Sequence, residues 1–344
     1  MSRELNWRIE VVRDGLSIGT FKASECELIF DAHADVMRSG KIKAPAIYKT
    51  REGDDVNLFS DRFKPVMIHN GNDHPLGRYV VMAAPRSVSD TGSNVAIEMY
   101  DETMILKQAC TQARTFFASG SSYQTSISAL ILACGITDYR FEDTALTMSD
   151  DHEYAPGTPY IELINGLLDE INYEHVHTNL DGTIQLTAKK AKTTADHIYY
   201  DRRPFGLLKP ISIDTDIYSR PNVFVGVVSN PSLDAPLVYT KENNDVNSQI
   251  SIPRRGYRVT KVYDLSNIAS QAELQNYIDA EYLKQSQMTE TAEIQTIPEP
   301  GHEYGDAVQL STSEINGLYI ETGWNMSLSV KKSMTHKLER AIFV

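Results

Sequence analysis

The sequence contains no long apolar run of the kind that export or membrane insertion requires. Residues 1–8 alternate charged and apolar side chains, so they lack the continuous apolar core of a signal peptide. The longest apolar stretch, Ala129–Ile136, is about half as long as a helix that crosses a bilayer. We therefore expect neither Sec-type export nor a membrane span.

Cysteine is scarce as well. The 344 residues include only three cysteines, Cys26, Cys110 and Cys134. Their odd number, their wide spacing and the absence of any C-x-x-C pair exclude a disulfide framework and a cysteine-based zinc site. We expect three buried thiols in a reducing cytosol.

Positive charge is also in short supply. The chain has 33 lysines and arginines against 46 aspartates and glutamates, which gives a formal net charge of −13. The basic residues are scattered, and a chain of this charge repels phosphate backbones unless it concentrates a basic patch. We expect no sequence-specific binding of nucleic acid.

Motifs for nucleophilic and nucleotide chemistry are missing too. The sequence has no G-x-S-x-G turn, which an α/β-hydrolase needs to expose its serine. It also has neither the G-x-x-x-x-G-K-[ST] nor the G-x-G-x-x-G loop that brings backbone close to phosphate. The serine-rich turn Gly120-Ser121-Ser122 stands where a helix should begin, so we interpret Ser122 as a helix cap.

The histidines do not form a recognisable metal motif. His175 and His177 would share one face of a strand, and Asp181 could add a third ligand, but we interpret the pair as surface histidines of an edge strand. The run Asp150–Glu153 reads as a solvated acidic turn, because consecutive side chains rarely converge on one ion.

The pair His302-Glu303 also lacks the H-E-x-x-H spacing of helical zinc sites, and the nearby prolines exclude a helix there. Aspartate and glutamate are plentiful, but sequence alone gives no separation between two carboxyl groups. We predict no catalytic, cofactor-binding or metal-binding residues, and no cofactor.

The first hundred or so residues have the patterning of β-strands. Turn residues such as Asp14-Gly15 and Asn70–Asp73 fall between segments with alternating polarity. The strand-like segments are Arg8–Val12, Cys26–Phe30, Pro65–His69, Arg78–Ala83 and Val95–Tyr100. This pattern is typical of an antiparallel sheet or barrel.

Helical spacing begins near Leu106. The apolar stripes run from Leu106 to Phe117, from Ser122 to Gly135, and from Thr158-Pro159 to Ile171. A hairpin follows, because Asp181-Gly182 is a tight-turn signal between two strand-like segments. We interpret this part as an α+β insert.

Strand patterning returns from Tyr199. The segments are Val223–Val228, Leu237–Thr240, Arg258–Tyr263, Glu293–Ile297, Ala307–Leu310 and Leu318–Glu321. One helix interrupts them, since Ser270 and Glu273 form a capping box ahead of apolar residues at four-residue spacing.

The predicted fold is β-rich α+β, with two β-barrel-like domains flanking a small insert of helices and a hairpin. The first domain covers residues 1–105, the insert 106–198, and the second domain 199–344 with one helix at about 270–287.

Three stretches together resemble a known family. Thr158–Tyr173, followed by Asp181–Ile184, is similar to its mid-chain helix and glycine hairpin. Ile297–Val308 is similar to its proline-rich turn and Gly-Asp strand start, and Gly317–Leu328 with Met334–Arg340 is similar to its closing hairpin. The family is the hub or tail-tip proteins of contractile and related phage tails, including defective prophages and tail-like bacteriocins.

The resemblance implies a structural baseplate subunit rather than an enzyme. Family members form a homotrimer whose two tube domains per chain make a pseudo-sixfold ring. That ring joins a hexameric tail tube protein to a central spike protein, in contact with other baseplate proteins. The chain would be made in the cytoplasm of a host bacterium and assembled into a virion or tail-like particle.

Two other functions stay open. A carbohydrate-binding tail-tip protein could use Trp7, Trp324 and the eighteen tyrosines as stacking faces, although core packing is the commoner use of such rings. A cell-wall peptidase or glycosidase is the third possibility, but the hub-like pattern takes up the length that a separate catalytic domain would need.

Overall fold

The computed structural model describes residues 5–90, 92–200, 207–215, 220–228, 236–265, 270–313, 315–328 and 333–343. The chain divides into two compact units. The first unit comprises Met1–Pro210 and Ile294–Lys337, and the second comprises Ile211–Glu293 and Leu338–Val344. No helix among the described residues is long and apolar enough to span a membrane.

A large, mainly antiparallel sheet dominates the first unit. Its early strands are β1 (Leu5–Arg13), β2 (Leu16–Phe21), β3 (Glu25–Asp31), β4 (Arg38–Pro45), β5 (Arg62–His69), β6 (Asn72–Pro75), β7 (Tyr79–Ala83), β8 (Arg86–Ser89) and β9 (Gly92–Asp101). Its late strands are β15 (His197–Tyr200), β21 (Ala307–Ser311) and β22 (Asn316–Ser327). Strands β3, β4 and β9 alternate buried with less buried residues, because a strand turns successive side chains to opposite faces.

The strand order joins the beginning of the unit to its end. The path runs β22-β3-β4-β9-β7-β5-β1-β2, with β21 beside β22 and β15 parallel to β21. Phe21 at one end of the path and Trp324 at the other contribute to the same apolar core. The sheet therefore curls around a single interior, although no pairing among the described residues closes β2 onto β22.

The segment between β9 and β15 forms a small α+β layer. Its helices are α1 (Thr103–Gln108), α2 (Tyr123–Ala133) and α3 (Tyr160–Glu170), and its strands are β10 (Thr115–Phe117), β11 (Tyr139–Phe141), β12 (His152–Tyr154), β13 (His177–Thr178) and β14 (Ile184–Leu186). The predicted cap of α2 is confirmed, since Ser122 Oγ accepts from the backbone N–H of Thr125. The predicted Asp181-Gly182 hairpin is confirmed by the antiparallel pairing of β13 and β14.

The predicted first helix is wrong over most of its length. Helix α1 ends at Gln108, and residues 115–117 pair with β12 as a strand. The backbone N–H of Thr111 donates to the carbonyl of Thr158, so pairing with a distant segment replaces the local helical bonds. One thiol expectation is wrong as well: Cys26 is buried and Cys134 half-buried, whereas Cys110 is exposed.

The second unit contains a three-stranded sheet and a helix. The strands are β17 (Val223–Val228), β18 (Leu237–Glu242) and β19 (Thr260–Leu265), and the helices are α4 (Ile252–Arg255) and α5 (Gln271–Ser286). Ser270 Oγ accepts from the backbone N–H of Glu273, which confirms the predicted helix start. Three strands have residues in both units, namely β16 (Leu207–Thr215), β20 (Gln287–Thr296) and β23 (Met334–Phe343).

The β-rich α+β class predicted from the sequence is confirmed. The boundaries of the predicted segments 1–105, 106–198 and 199–344 stay a prediction. The structure adds one observation about the last segment. Its strands β21 and β22 belong to the first unit, where β22 pairs with β3.

Glycine at position 226 lets helix α5 lie close against β17. A Cβ atom on Gly226 would come within 2.7 Å of side-chain carbons of both Leu274 and Ile278. Replacement of Gly226 by alanine should therefore lower the free energy of unfolding by about 1–3 kcal/mol, the usual cost of overpacking. Urea unfolding monitored by circular dichroism measures this difference.

Gly166→Ala is the matched control for that substitution. Gly166 lies on an exposed position of α3, and an added Cβ would have no neighbour within 4 Å. Alanine should stabilise the helix there by roughly 0.5–1 kcal/mol, because it loses less conformational entropy than glycine on folding. Equal effects of the two substitutions would contradict the close packing of α5.

Candidate functional site

The structure separates His175 from His177. The exposed His175 places its Nε2 atom 3.0 Å from Asp169 Oδ2. His177 is buried against the ring of Tyr304, with centroids 4.5 Å apart, and burial lowers the pKa of its imidazole to about 4. The expected surface pair is therefore wrong for His177. Asp181 lies 3.6 Å from Lys64 Nζ, so these three residues do not share one ion.

The side chains of the acidic turn Asp150–Glu153 contact different partners. Asp151 Oδ1 accepts from the backbone N–H of Ser119 at 2.8 Å, and Glu153 pairs with Arg114. His152 contributes to a different group: its Nε2 lies 2.8 Å from Glu170 Oε1, on helix α3. These contacts fasten the turn to its surroundings and leave no converging set of ligands.

The pair of His152 and Glu170 should make stability depend on pH. Burial acts to lower the pKa of His152, but the hydrogen bonds and charges of Glu170 and Asp150 outweigh it, so the pKa is raised above the ordinary value. The stabilisation is therefore fully present below about pH 6.5, the ordinary value, and is lost as the pH rises through the raised pKa of the folded state.

Urea midpoints of the wild type and of His152→Gln, compared between pH 5 and pH 9, test this expectation. The difference between the two proteins should be largest at the acidic end and should shrink as the pH rises. Glu170→Gln is the control, since it should weaken the same dependence and leave only the contribution of Asp150. A difference that grows towards alkaline pH would contradict the pairing.

A cleft of about 380 Å³ lies in the first unit, between the sheet and the α+β layer. Its charged residues are Asp14, Arg62, Arg78, Glu102 and Asp138. Glu102 accepts from both arginines at 3.0 Å, and Arg78 also contacts Asp138 at 2.9 Å. Both arginines of the lining are thus paired with carboxylates, and Asp14 adds one further negative charge.

A buried polar cluster in the first unit has more unusual geometry. His302 precedes β21, Glu321 lies on β22, and His336 lies on β23. Glu321 Oε2 is 2.8 Å from His302 Nδ1, and Glu321 Oε1 is 2.5 Å from His336 Nδ1. The three side chains are at most 1% exposed. We call this set the His–Glu–His cluster.

The cluster carries a carboxylate inside an apolar unit. Burial alone would raise the pKa of Glu321, but the two histidines lower it to about 2, so the group is ionised. Burial lowers the pKa of His336 below its ordinary value. One negative charge is thus fixed in the interior, and burial disfavours a positive charge on His336.

Comparisons with known proteins were made at the levels of sequence and structure. No family model and no curated protein matches the sequence. The structure is similar to a tail protein from Neisseria meningitidis, with a TM-score of 0.65, 11% identity, and coverage of 98% of this chain and 97% of that one. It is also similar to the 43 kDa tail protein of prophage MuSo2 from Shewanella oneidensis, with a TM-score of 0.64, 10% identity and 98% coverage of each chain.

The chain has the fold of phage tail proteins. The resemblance found in the sequence is thereby confirmed at the level of the fold. A chain of a Francisella PdpA–VgrG complex is similar too, with a TM-score of 0.59 and 7% identity, over 98% of this chain and 58% of that one.

Sequence reasoning on this tail-protein fold missed the His–Glu–His cluster. It noted His302 but not its partners, since Glu321 and His336 are 19 and 34 residues further along the chain. The sequence did contain a signal for these partners. Glu321 and His336 each occupy a position of an alternating strand that faces the interior, where an apolar residue is usual.

Proposed function

We propose that this chain is a structural subunit of a phage or phage-like tail, located in the baseplate. The observation that carries the proposal is the reciprocal coverage of two prophage or tail proteins, at 97–98% of every chain compared. Nearly all of this sequence is accounted for by a tail-protein fold. The chain would be made in the cytoplasm of a bacterial host and then built into the particle.

Within the baseplate, the chain acts as the hub. Three copies form a ring, and each copy presents two tube-like contacts to a sixfold tail tube on one side while the ring holds the central spike on the other. Its partners are itself, the tail tube protein, the spike protein and other baseplate proteins. The similarity to a chain from a complex that contains VgrG supports a position at the spike.

Electron microscopy of the assembled tail tip tests the hub. Density for three copies around the tail axis is the expected result. Six identical copies, or one copy away from the axis, would replace the hub with a tube or peripheral role. The isolated chain is not required to be a trimer, because a contact completed on the tube end can be weak in solution.

The same proposal makes the chain a non-enzyme. Both arginines of the described cleft are paired with carboxylates, and Asp151 and His152 contact different partners. Purified protein should therefore leave peptidoglycan intact in zymography. A cleared band that disappears in the Asp151→Asn or His152→Gln variant would make the chain a cell-wall hydrolase.

Carbohydrate binding is less well supported. Trp324 is 3% exposed and contacts both Phe30 and the guanidinium of Arg38, so its faces are not available to a sugar. Trp7 is half-buried against the core of the first unit. Core packing explains both indole rings.

A further inference from the structure

Hydrogen positions in the His–Glu–His cluster follow from the partners of its outer nitrogens. His336 Nε2 lies 2.8 Å from the hydroxyl of Thr296, and that hydroxyl lies 3.1 Å from the carbonyl of Ile297. A hydroxyl has one hydrogen and a carbonyl can only accept. If the Thr296 hydroxyl donates to Ile297, the Nε2–H of His336 donates to Thr296; if it donates to Nε2, the hydrogen of His336 lies on Nδ1.

His302 is held in the same way. Its Nε2 lies 3.1 Å from the hydroxyl of Tyr199, which in turn lies 3.2 Å from Glu299 Oε2. A carboxylate can only accept, so a Tyr199 hydroxyl that donates to Glu299 leaves its oxygen as an acceptor for His302 Nε2. In that arrangement the Nε2–H of His302 donates to the Tyr199 oxygen.

These assignments leave two inner nitrogens facing one carboxylate. With hydrogen on Nε2, a neutral imidazole has a lone pair at Nδ1. The Nδ1 atoms of His302 and His336 would then meet the two oxygens of Glu321 lone pair to lone pair. With the hydrogens on Nε2, positive charge must lie between them, either as one additional proton on each imidazole or as one metal ion; with the hydrogens on Nδ1, Glu321 accepts from both imidazoles and no ion is bound.

A metal ion satisfies the cluster better than two protons. Two protons would place two imidazolium cations beside a single buried carboxylate, and a third imidazole, His197, stacks on His302 with ring centroids 3.7 Å apart. One divalent ion leaves both imidazoles neutral and uses all three inward-facing groups as ligands.

We propose that His302, Glu321 and His336 bind one divalent transition-metal ion of the zinc type. Two imidazole nitrogens and a carboxylate are ligands that zinc commonly takes in proteins. Thr296 and Tyr199 accept the outer N–H groups, the arrangement that orients metal-binding histidines. Such an ion would tie β22 and β23 to the segment before β21.

The neighbouring set of His197, His302 and Asp306 is a poorer site. The rings of His197 and His302 are nearly parallel, with an interplanar angle of 13°. A metal ion lies in the plane of each imidazole that binds it, so two stacked rings cannot both aim at one ion. His197 instead lies 3.2 Å from Asp306 Oδ2 as a second, separate pair.

Metal binding requires a small expansion of the cluster. Ligands about 2.0–2.1 Å from zinc in a tetrahedron lie about 3.3 Å from one another. The present separations of 2.8 Å and 2.5 Å would each widen by about 0.5–0.8 Å. Side-chain rotations within the three segments can supply a shift of that size.

Metal analysis of the full-length chain tests the proposal. Protein purified without chelator from zinc-supplemented cells should contain about one zinc per chain, while His302→Gln and His336→Gln should each lose at least nine-tenths of it. His177→Gln is the matched control, since it alters another buried histidine of the same unit and should retain the full amount.

A refolding experiment on the wild-type chain tests the proposal without variants that could fail to fold. Wild-type chain unfolded in guanidinium with a chelator, desalted, and refolded with or without Zn²⁺ should melt at a higher temperature with zinc. Cobalt in place of zinc should give the visible absorption of a tetrahedral site. Wild-type protein with less than a tenth of an equivalent of metal and a melting temperature unchanged by zinc would overturn the proposal, and so would zinc retained in both cluster variants.

Discussion

Replacement of Glu321 by glutamine is expected to lower the free energy of unfolding by about 3–5 kcal/mol, the usual cost of removing one partner from a buried charge pair. Glutamine has the same shape but no charge, and its amide nitrogen is a donor only. Both oxygens of Glu321 face imidazole nitrogens, at 2.8 Å and 2.5 Å, so one substitution disturbs both contacts. Chemical denaturation gives the difference directly.

Glu27→Gln provides the control for Glu321. Glu27 lies on β3, the strand beside β22, and its Oε1 accepts one hydrogen bond from Asn325 at the surface. The same chemical change there should cost less than about 0.5 kcal/mol, because exposed polar contacts contribute little. Similar losses for the two variants would show that Glu321 is not specially placed.

Replacement of Gly182 by alanine is expected to cost about 2–4 kcal/mol, from left-handed backbone strain and overpacking together. Gly182 has a φ of +93°, and a Cβ atom there would lie 2.3 Å from the Cβ of Arg78 and 3.1 Å from its backbone nitrogen. Backbone atoms cannot move aside as a flexible side chain can. The hairpin should therefore separate from the start of β7.

Gly120→Ala isolates the effect of that contact. Gly120 has a similar φ of +87°, but an added Cβ would have nothing within 4 Å. It should lose only the conformational part, about 1–2 kcal/mol. Urea midpoints of the two variants measured side by side give the cost of the clash. Equal losses would mean that the hairpin does not press against Arg78.

Local features of this fold could be predicted from the sequence because their causes are local. The cap at Ser122, the capping box at Ser270 and the Asp181-Gly182 turn each involve residues a few positions apart. The predicted first helix was wrong because its cause is not local. Residues 115–117 have helical spacing, but they pair with β12 nearly forty positions later, and periodicity contains no information about that partner.

The candidate site was less predictable than the fold for the same reason. His302 could be noted from the sequence, yet its chemistry depends on side chains that three separate segments bring together. His177 was placed at the surface because strand polarity does not reveal that Tyr304, from a segment 127 positions away, covers it. Contacts between segments far apart in the sequence determine the surroundings of both His302 and His177.

Because β22 pairs with β3, the sheet of the first unit can be completed only late in synthesis. Strand β3 is translated early, but its partner across Trp324 and Phe30 emerges only after nearly three hundred further residues have been added. Until then the ribosome-bound chain has an unpaired strand edge beside an incomplete apolar core, the condition that favours association with other nascent chains. We therefore expect chaperones to bind this chain during translation rather than after its release. A chain stalled on the ribosome before residue 316 would lack β22 and could not complete the core of the first unit.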